Sequence, residues 1–288
     1  MNRLDYVIDS EHNGETIKRY LRTYLGLSSR ALIQLKKTPV GITRNGNHAK
    51  VIERIYENDV LSLFIDEAPP KEYERENIPL DILYEDENFL VVNKQAGMAM
   101  YPVGAHRSGS LLNAVEYQRD FTFRAIYRLD RNTSGIVVIA KNRLVSSSVT
   151  LEKKYLAVCC GELPETGSIG VAIGHEEGSI IKRTTGYGKK ALTTFRTLIV
   201  AGDYSLAEME IQTGRTHQIR VHMASMGFPL AGDDLYGGNM KSIGRQALHC
   251  CEVRLSSVAA KTDRTFFCKV PSDMALAFPE LFNQRKGE

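Results

Sequence analysis

A chain of 288 residues, 43% hydrophobic and 25% charged, has the composition of an ordinary folded protein and suffices for one large core with a smaller unit attached. Its formal net charge of +3 excludes a strongly basic chain, so any contact with nucleic acid has to rest on local patches. No apolar run reaches transmembrane length, the N-terminus lacks the apolar region of a signal peptide, and five cysteines at this size do not read as a disulfide scaffold, so a reducing cytoplasm is the expected compartment.

Residues 14 to 65 read as a unit. Ile17, Tyr20, Leu21, Tyr24 and Leu25 recur at helical spacing, with Lys18, Arg19 and Arg22 off the apolar stripe. Ser28-Ser29 offers an N-cap for a second helix that carries Leu32, Ile33 and Leu35 and then Lys36 and Lys37. Short strands are predicted at Val40–Thr43, Val51–Ile52 and Val60–Phe64, with Asn45-Gly46 as a turn after the first. A solvated helix face accounts for the basic residues as well as a binding surface does. Asp66 to Pro79, with Pro69-Pro70 and a dense run of charge, reads as a linker.

Beyond it, Ile82–Tyr84 and Phe89–Asn93 are strand-like, Leu111–Tyr117 and Asn142–Lys153 helix-like, and Tyr155–Val158 and Ser205–Ile211 strand-like. This irregular, strand-rich order argues for an α+β mixed sheet rather than regular βαβ winding. After Gly214, Thr216 is a candidate cap for a helix with Ile219, Met223 and Met226 on its apolar face, ended by Gly227. Arg215 then sits at a strand-to-helix junction. On a strand, each vicinal pair, Cys159-Cys160 and Cys250-Cys251, sends one thiol inward and one outward. His217 and His222, five apart, lack the spacing of a helical zinc pair and read as hydrogen-bonded polar residues.

The most informative stretch is Tyr127-Arg128-Leu129-Asp130-Arg131-Asn132-Thr133-Ser134-Gly135, followed by the apolar run Ile136–Ala140. A turn leads into a buried strand, and one carboxylate stands between two arginines. Flanking guanidinium groups favour an ionised carboxylate, suited to a nucleophile or charge stabiliser and not to a general acid. On spacing alone, such an Asp reads as a turn former.

The words around it resemble a known family. Arg128-Leu129-Asp130-x-x-Thr133-Ser134-Gly135 is similar to the signature of the RluA-type RNA pseudouridine synthases. Gly214-Arg215-Thr216-His217-Gln218-Ile219-Arg220-Val221-His222 resembles a second block of that family. Further matches follow in order: Leu90–Lys94 with Ala96-Gly97-Met98 and Pro102, Lys154–Val158 with Gly161, Ala191 with Thr193, Gly232-Asp233 with Tyr236-Gly237, and Leu248-His249. The family often has His in place of Tyr127 and Tyr101, and Pro in place of Gln95. The N-terminal unit resembles the ribosomal S-four-type RNA-binding module.

The resemblance implies an α+β, largely antiparallel catalytic domain over residues 80–288, a linker at 67–79 and an RNA-binding module over 1–66. It implies cofactor-free isomerisation of uridine to pseudouridine, since nothing is oxidised and no group is donated. Asp130 is the implied catalytic carboxylate, attacking the anomeric carbon or deprotonating its neighbour. Tyr155 is implied to stack on the base, with proton transfer as a second open role, and Arg215 to pair with Asp130. Ile219 is expected near the base or in the core. Arg128, Arg131 and the basic residues Lys18, Arg19, Arg22, Lys36 and Lys37 are candidates for phosphate contacts that offset the cost of extruding the uridine. The expected target is large-subunit ribosomal RNA, with transfer RNA second, and the expected state is a monomer. Two alternatives are a non-catalytic RNA-binding or ribosome-assembly factor and a carboxylate-dependent hydrolase. The second would need a partner carboxylate that the sequence does not offer.

Overall fold

A computed structural model describes residues 2–65, 73–102 and 107–283. The N-terminal unit opens with strand β1 (Asn2–Val7), which hydropathy did not reveal. Helix α1 (Ile17–Arg19) runs on through a wider π-type turn at Tyr20–Tyr24. Helix α2 (Ser29–Lys37) begins at the expected cap, where the Ser28 hydroxyl accepts from the Ala31 N–H. Strands β2 (Ile42–Arg44) and β3 (Asn47–His48) flank Asn45-Gly46, whose φ values of 50° and 81° suit a tight hairpin. Strand β4 (Val60–Ile65) lies between β1 and β2, giving the order β1-β4-β2-β3. The predicted strand at Val51–Ile52 is instead a turn, because the Val51 carbonyl accepts from Lys18 on α1 rather than from a neighbouring strand.

The larger unit is built on a nine-stranded sheet. Strands β5 (Ile82–Glu85) and β6 (Phe89–Lys94) form its first hairpin, and helix α3 (Leu111–Gln118) follows. Strand β7 (Ser134–Ala140) is buried throughout, as its continuous apolar run requires. Helix α4 (Arg143–Ser146) is much shorter than the predicted helix over Asn142–Lys153. The hydroxyls of Ser146, Ser147 and Ser148 bond back to carbonyls three residues earlier, which competes with helix propagation. The chain then enters β8 (Thr150–Cys160). Strands β9 (Thr166–Ile169), β10 (Ile173–His175), β11 (Arg183–Thr185), β12 (Thr193–Ala201) and β13 (Tyr204–Ile211) precede helix α5 (Gln218–Ser225). Strands β14 (Leu248–Ser257) and β15 (Thr262–Phe267) and helices α6 (Ser272–Ala277) and α7 (Pro279–Phe282) complete the described chain.

The sheet order is β5-β6-β7-β14-β8-β13-β12-β9, with β15 on β14, and β10 and β11 form a separate hairpin. Among the described strands only β7 and β14 pair in parallel, with Ser134 opposite His249 and Gly135 opposite Cys250. This is the mixed, largely antiparallel sheet the sequence implied. The parallel seam immediately follows the turn that carries Asp130. Cys159 and Cys250 are buried while Cys160 and Cys251 are half-buried, the inward and outward alternation of a strand.

The two units touch. Leu144 and Ala259 pack in the apolar core of the N-terminal unit, and the Tyr6 hydroxyl donates to the Ala259 carbonyl at 3.0 Å. Residues 67–72 of the expected linker lie outside the described residues. Residues 73–79 lack regular structure but are pinned to α3, where Asn113 and Gln118 donate to the carbonyls of Glu74 and Ile78 at 2.5 and 2.6 Å.

Gly135 has φ of +121°, and a Cβ there would stand 2.2 Å from the Cys250 carbonyl oxygen. Gly135→Ala therefore meets both backbone strain and a backbone wall, with an expected loss of at least about 3 kcal/mol. Gly178, at φ +74° in open space, isolates the strain component, and Gly178→Ala should cost about 1 kcal/mol. Urea unfolding of both variants measures the difference. Equal losses would show that the β7–β14 seam relaxes around the added methyl.

Candidate active site

Asp130 sits in a narrow cleft of about 50 Å³, whose walls include Tyr155, Arg215, His217, Ile219 and Arg220. Its turn is closed by a bond from the Thr133 N–H to the Asp130 carbonyl, 3.1 Å. A second device holds the turn from below. The Lys94 ammonium, at the end of β6 and 2% exposed, donates to the carbonyls of Gln95, Met98 and Arg131 at 2.9, 2.8 and 3.1 Å. Three protons meet three acceptors, which ties the strand end to the residue following Asp130. Burial pulls the Lys94 pKa down to about 7, while the charge of Asp130 acts the other way.

The cation nearest Asp130 is Arg220. Its Nη1 stands 3.7 Å from Asp130 Oδ2, an ion-pair distance rather than a hydrogen bond. The rest of the guanidinium is committed to Asp233, with Nε and Nη2 each 2.7 Å from one carboxylate oxygen. Asp233 is fully buried and Arg220 is 6% exposed. Burial opposes the charge on Arg220, but the bonds and charge of Asp233, and then Asp130, outweigh it, so its pKa lies above the usual value. Asp233 is fixed in turn by the N–H groups of Leu235 and Tyr236, both at 3.3 Å. The Arg220 guanidinium also lies 5.2 Å from the Tyr236 ring.

His217 completes this edge of the cleft. It has φ of 57°, uncommon for a residue with a Cβ, and it stands where α5 begins. Its Nδ1 shares a hydrogen bond with the Tyr236 hydroxyl at 2.9 Å, and its Nε2 is 4.0 Å from Asp130 Oδ2. Burial lowers its pKa from 6.5, with Asp130 opposing and Arg220 reinforcing the shift, so the ring is neutral at pH 7. Thr216, the expected cap, makes no cap bond. The side chain of Gln218 organises the entry instead, accepting from Thr213 Oγ1 and the Arg215 N–H at 2.7 and 3.1 Å and donating to the Leu192 carbonyl at 2.9 Å.

The sequence-derived residues fall unevenly around this centre. Asp130, Tyr155, Arg215, Arg128 and Ile219 share the cleft. Ile219 is also part of the main apolar core. Tyr155, on β8, is 4% exposed, and burial holds its hydroxyl well above the usual pKa, with Cys250 and then Asp130 adding to the effect. It is a protonated ring at neutral pH. The expected pairing of Arg215 with Asp130 is corrected: Arg215 Nε donates to the Lys190 carbonyl at 3.1 Å, and Arg220 supplies the charge. The physical reason is position, since Arg215 precedes the helix on the connecting loop whereas Arg220 lies inside α5. Arg131 is exposed, with Nε donating to the Gly97 carbonyl at 2.9 Å. Lys18, Arg19, Arg22, Lys36 and Lys37 are all exposed on the N-terminal helical segments. Arg19 is 3.3 Å from Glu15, and Arg22 donates to the Leu27 carbonyl.

Sequence reasoning missed Arg220, Asp233 and Lys94 as site residues. All three stand in blocks quoted for the resemblance without a role. For Arg220 a signal existed: an arginine set between Ile219, Val221 and Met223 in a short helix is a candidate for burial against a partner carboxylate.

The comparisons with known proteins agree with this geometry. The sequence model of the RNA pseudouridylate synthase family matches residues 88–225, which span Asp130, Tyr155 and Arg220. An uncharacterized RNA pseudouridine synthase of Bacillus subtilis, YjbO, is 38% identical over 90% of this chain and 97% of its own length. The ribosomal large subunit pseudouridine synthase D of Buchnera aphidicola is 33% identical over 95% of this chain and 91% of its own. The human RNA Pseudouridylate Synthase Domain Containing 1 superposes with a TM-score of 0.57 and 27% identity, covering 75% of this chain and 90% of that structure. Identity at this level along nine-tenths of the sequence makes the chain a member of the RNA pseudouridine synthase family, enzymes that isomerise uridine in RNA.

Proposed function

We propose that this enzyme converts uridine to pseudouridine in structured large-subunit ribosomal RNA, with Asp130 as the reacting carboxylate. The observation that carries the assignment is the placement of Asp130 in the cleft, 3.7 Å from a guanidinium that a buried carboxylate clamps. Ribosomal RNA is supported by the name of the Buchnera relative. Five free cysteines fit a reducing cytoplasm.

In this reading the target uridine leaves the RNA stack, at a cost of a few kcal/mol that is least in loops. Its ribose comes to Asp130. The ionised carboxylate attacks the anomeric carbon or removes the proton of the adjacent carbon, and the bond to the base nitrogen breaks. The freed base turns and its carbon five bonds to the anomeric carbon, as the bond to Asp130 breaks or the abstracted proton returns to the sugar; the carbon-five proton is then lost and the freed base nitrogen takes up a proton. Tyr155, whose ring lines the cleft beside Asp130, stacks on the base. Arg220 faces Asp130 at 3.7 Å and orients it without closing over it. Arg215, at the mouth of the cleft, grips phosphate. The module over residues 1–66 adds affinity through its exposed basic face.

Asp130→Asn keeps shape and removes charge. Purified variant incubated with ribosomal RNA, followed by nucleoside analysis, should give no pseudouridine, with RNA affinity within about twofold of wild type. Turnover by this variant would sink the assignment. Mapping pseudouridine in cells with and without the gene identifies the uridine, and a site lost from transfer RNA alone would redirect the target.

Arg220→Lys keeps the charge but loses the planar fork that reaches two carboxylates at once. Its kcat should fall about 100-fold or more, with KM little changed. Arg215→Met should instead raise KM about tenfold, and saturating RNA should restore its rate. The opposite pattern would return the pairing role to Arg215.

Deleting the N-terminal unit would uncover Leu144 and Ala259, so charge removal is the cleaner test of its role. The triple change Lys18→Ala, Lys36→Ala and Lys37→Ala should weaken RNA binding and reduce the salt slope by about 1 to 3, while kcat at saturating RNA stays near wild type. An unchanged slope would remove this face from the RNA contact.

A further inference from the structure

The cleft at Asp130 is small, yet a cavity of about 500 Å³ adjoins it, lined by Met100, Tyr101, Ser108, Arg128, Leu129 and Arg131 among others. That volume falls in the range of pockets that hold small organic ligands, about 300–1,000 Å³. Arg128 and Leu129 belong to both walls, so whatever fills the second cavity lies one residue's width from the carboxylate. The mechanism above leaves this space unused.

Its chemistry is specific. Tyr101 is 40% exposed, so part of its ring remains open to solvent. The ring is held against Phe123 edge-to-face, with centroids 5.3 Å apart at 80°. Such an aromatic platform is presented to a ligand at little entropic cost. Met100, 4% exposed, contributes apolar surface to the wall. Arg128 and Arg131 add two guanidinium groups, the second oriented by its bond to the Gly97 carbonyl. An exposed ring with apolar packing and two cations matches a nucleobase with flanking phosphates.

We propose that this cavity is a second nucleotide subsite, in which a base adjacent to the target uridine leaves the RNA stack and packs on Tyr101. The proposal rests on the reading of Asp130 as the reacting group. Two neighbouring nucleotides are then held on either side of the Arg128-Leu129 ridge, one for chemistry and one for recognition. The second supplies sequence selectivity next to the modified site. It also adds stacking energy that offsets the cost of opening the RNA, and Arg128 and Arg131 hold the phosphates between and beyond the two bases.

The test is a binding cycle with a hairpin RNA carrying the uridine mapped above. One base at a time is removed at the two nucleotides on either side of that uridine. Affinities are measured for Asp130→Asn, which holds substrate without turnover, and for Asp130→Asn combined with Tyr101→Ala or Tyr101→Phe. At one flanking position, base removal should weaken binding by Asp130→Asn about tenfold, as expected for loss of base–aromatic stacking. The same removal should cost nothing in the Tyr101→Ala background and the full tenfold with Tyr101→Phe, which keeps the ring. Equal losses in all three backgrounds, or no loss at any position, would overturn the subsite. Turnover of the intact hairpin by the wild type is measured alongside. Coupling without turnover overturns the catalytic reading and leaves the subsite standing, whereas turnover without coupling does the reverse.

Discussion

The arrangement of the active site depends on one buried guanidinium. Arg220 is removed from water almost completely, and a charge in that position is tolerable only with full pairing. Asp233 supplies a two-bond match, leaving Nη1 to face Asp130. Asp130 therefore sees a cation whose geometry is fixed elsewhere, and it need not give up its own oxygens to hold that cation. Losing Asp233 would leave an unpaired charge under the cleft, so the pair is a structural requirement before it is a catalytic one.

Around that charge, the fold uses backbone devices to hold a short turn still. Lys94 joins three carbonyls beneath the Asp130 turn, and the β7–β14 seam fixes its far end, where Ser134 Oγ meets His249 Nδ1 at 2.9 Å. His249 continues to Cys268 Sγ at 3.1 Å, extending the brace to the strand end beyond β15. Burial lowers the His249 pKa to about 4, so this link is neutral and insensitive to pH in the working range. The opposite rim is open and carries exposed Arg128 and Arg131. A rigid floor with an exposed basic rim suits a polyanionic substrate that brings only one or two residues to the chemistry.

Much of this was legible in the sequence because it followed local rules. The Ser28 cap, the Asn45-Gly46 turn, the apolar runs of β6 and β7 and the Gly227 stop each depend on a few neighbouring residues. Asp130 and Tyr155 came from family words rather than from spacing. What failed was non-local. Strand β1 has no run of apolar residues, because its pairing with β4 rather than its hydropathy makes it a strand. The helix predicted after Asn142 stopped at a serine cluster whose hydroxyls took over backbone bonding. Arg215 and Arg220 are near neighbours in sequence and equally charged. Choosing between them required knowing which one α5 turns toward Asp233, a residue that reaches the site only through tertiary folding.

The bond from Tyr6 to the Ala259 carbonyl spans 253 residues. Its consequence concerns the order of events during synthesis. A nascent chain exposes the N-terminal unit first, and its short helices and hairpins can form early from local contacts. The surface bearing Leu144 and Ala259 is complete only once the β14–β15 hairpin has been made, so the orientation of the basic helices relative to the cleft is set only after that hairpin. The parallel β7–β14 seam beneath the catalytic turn waits for the same hairpin. The route of the chain therefore delays the joining of the basic helices to the Asp130 cleft until both halves of the sheet exist.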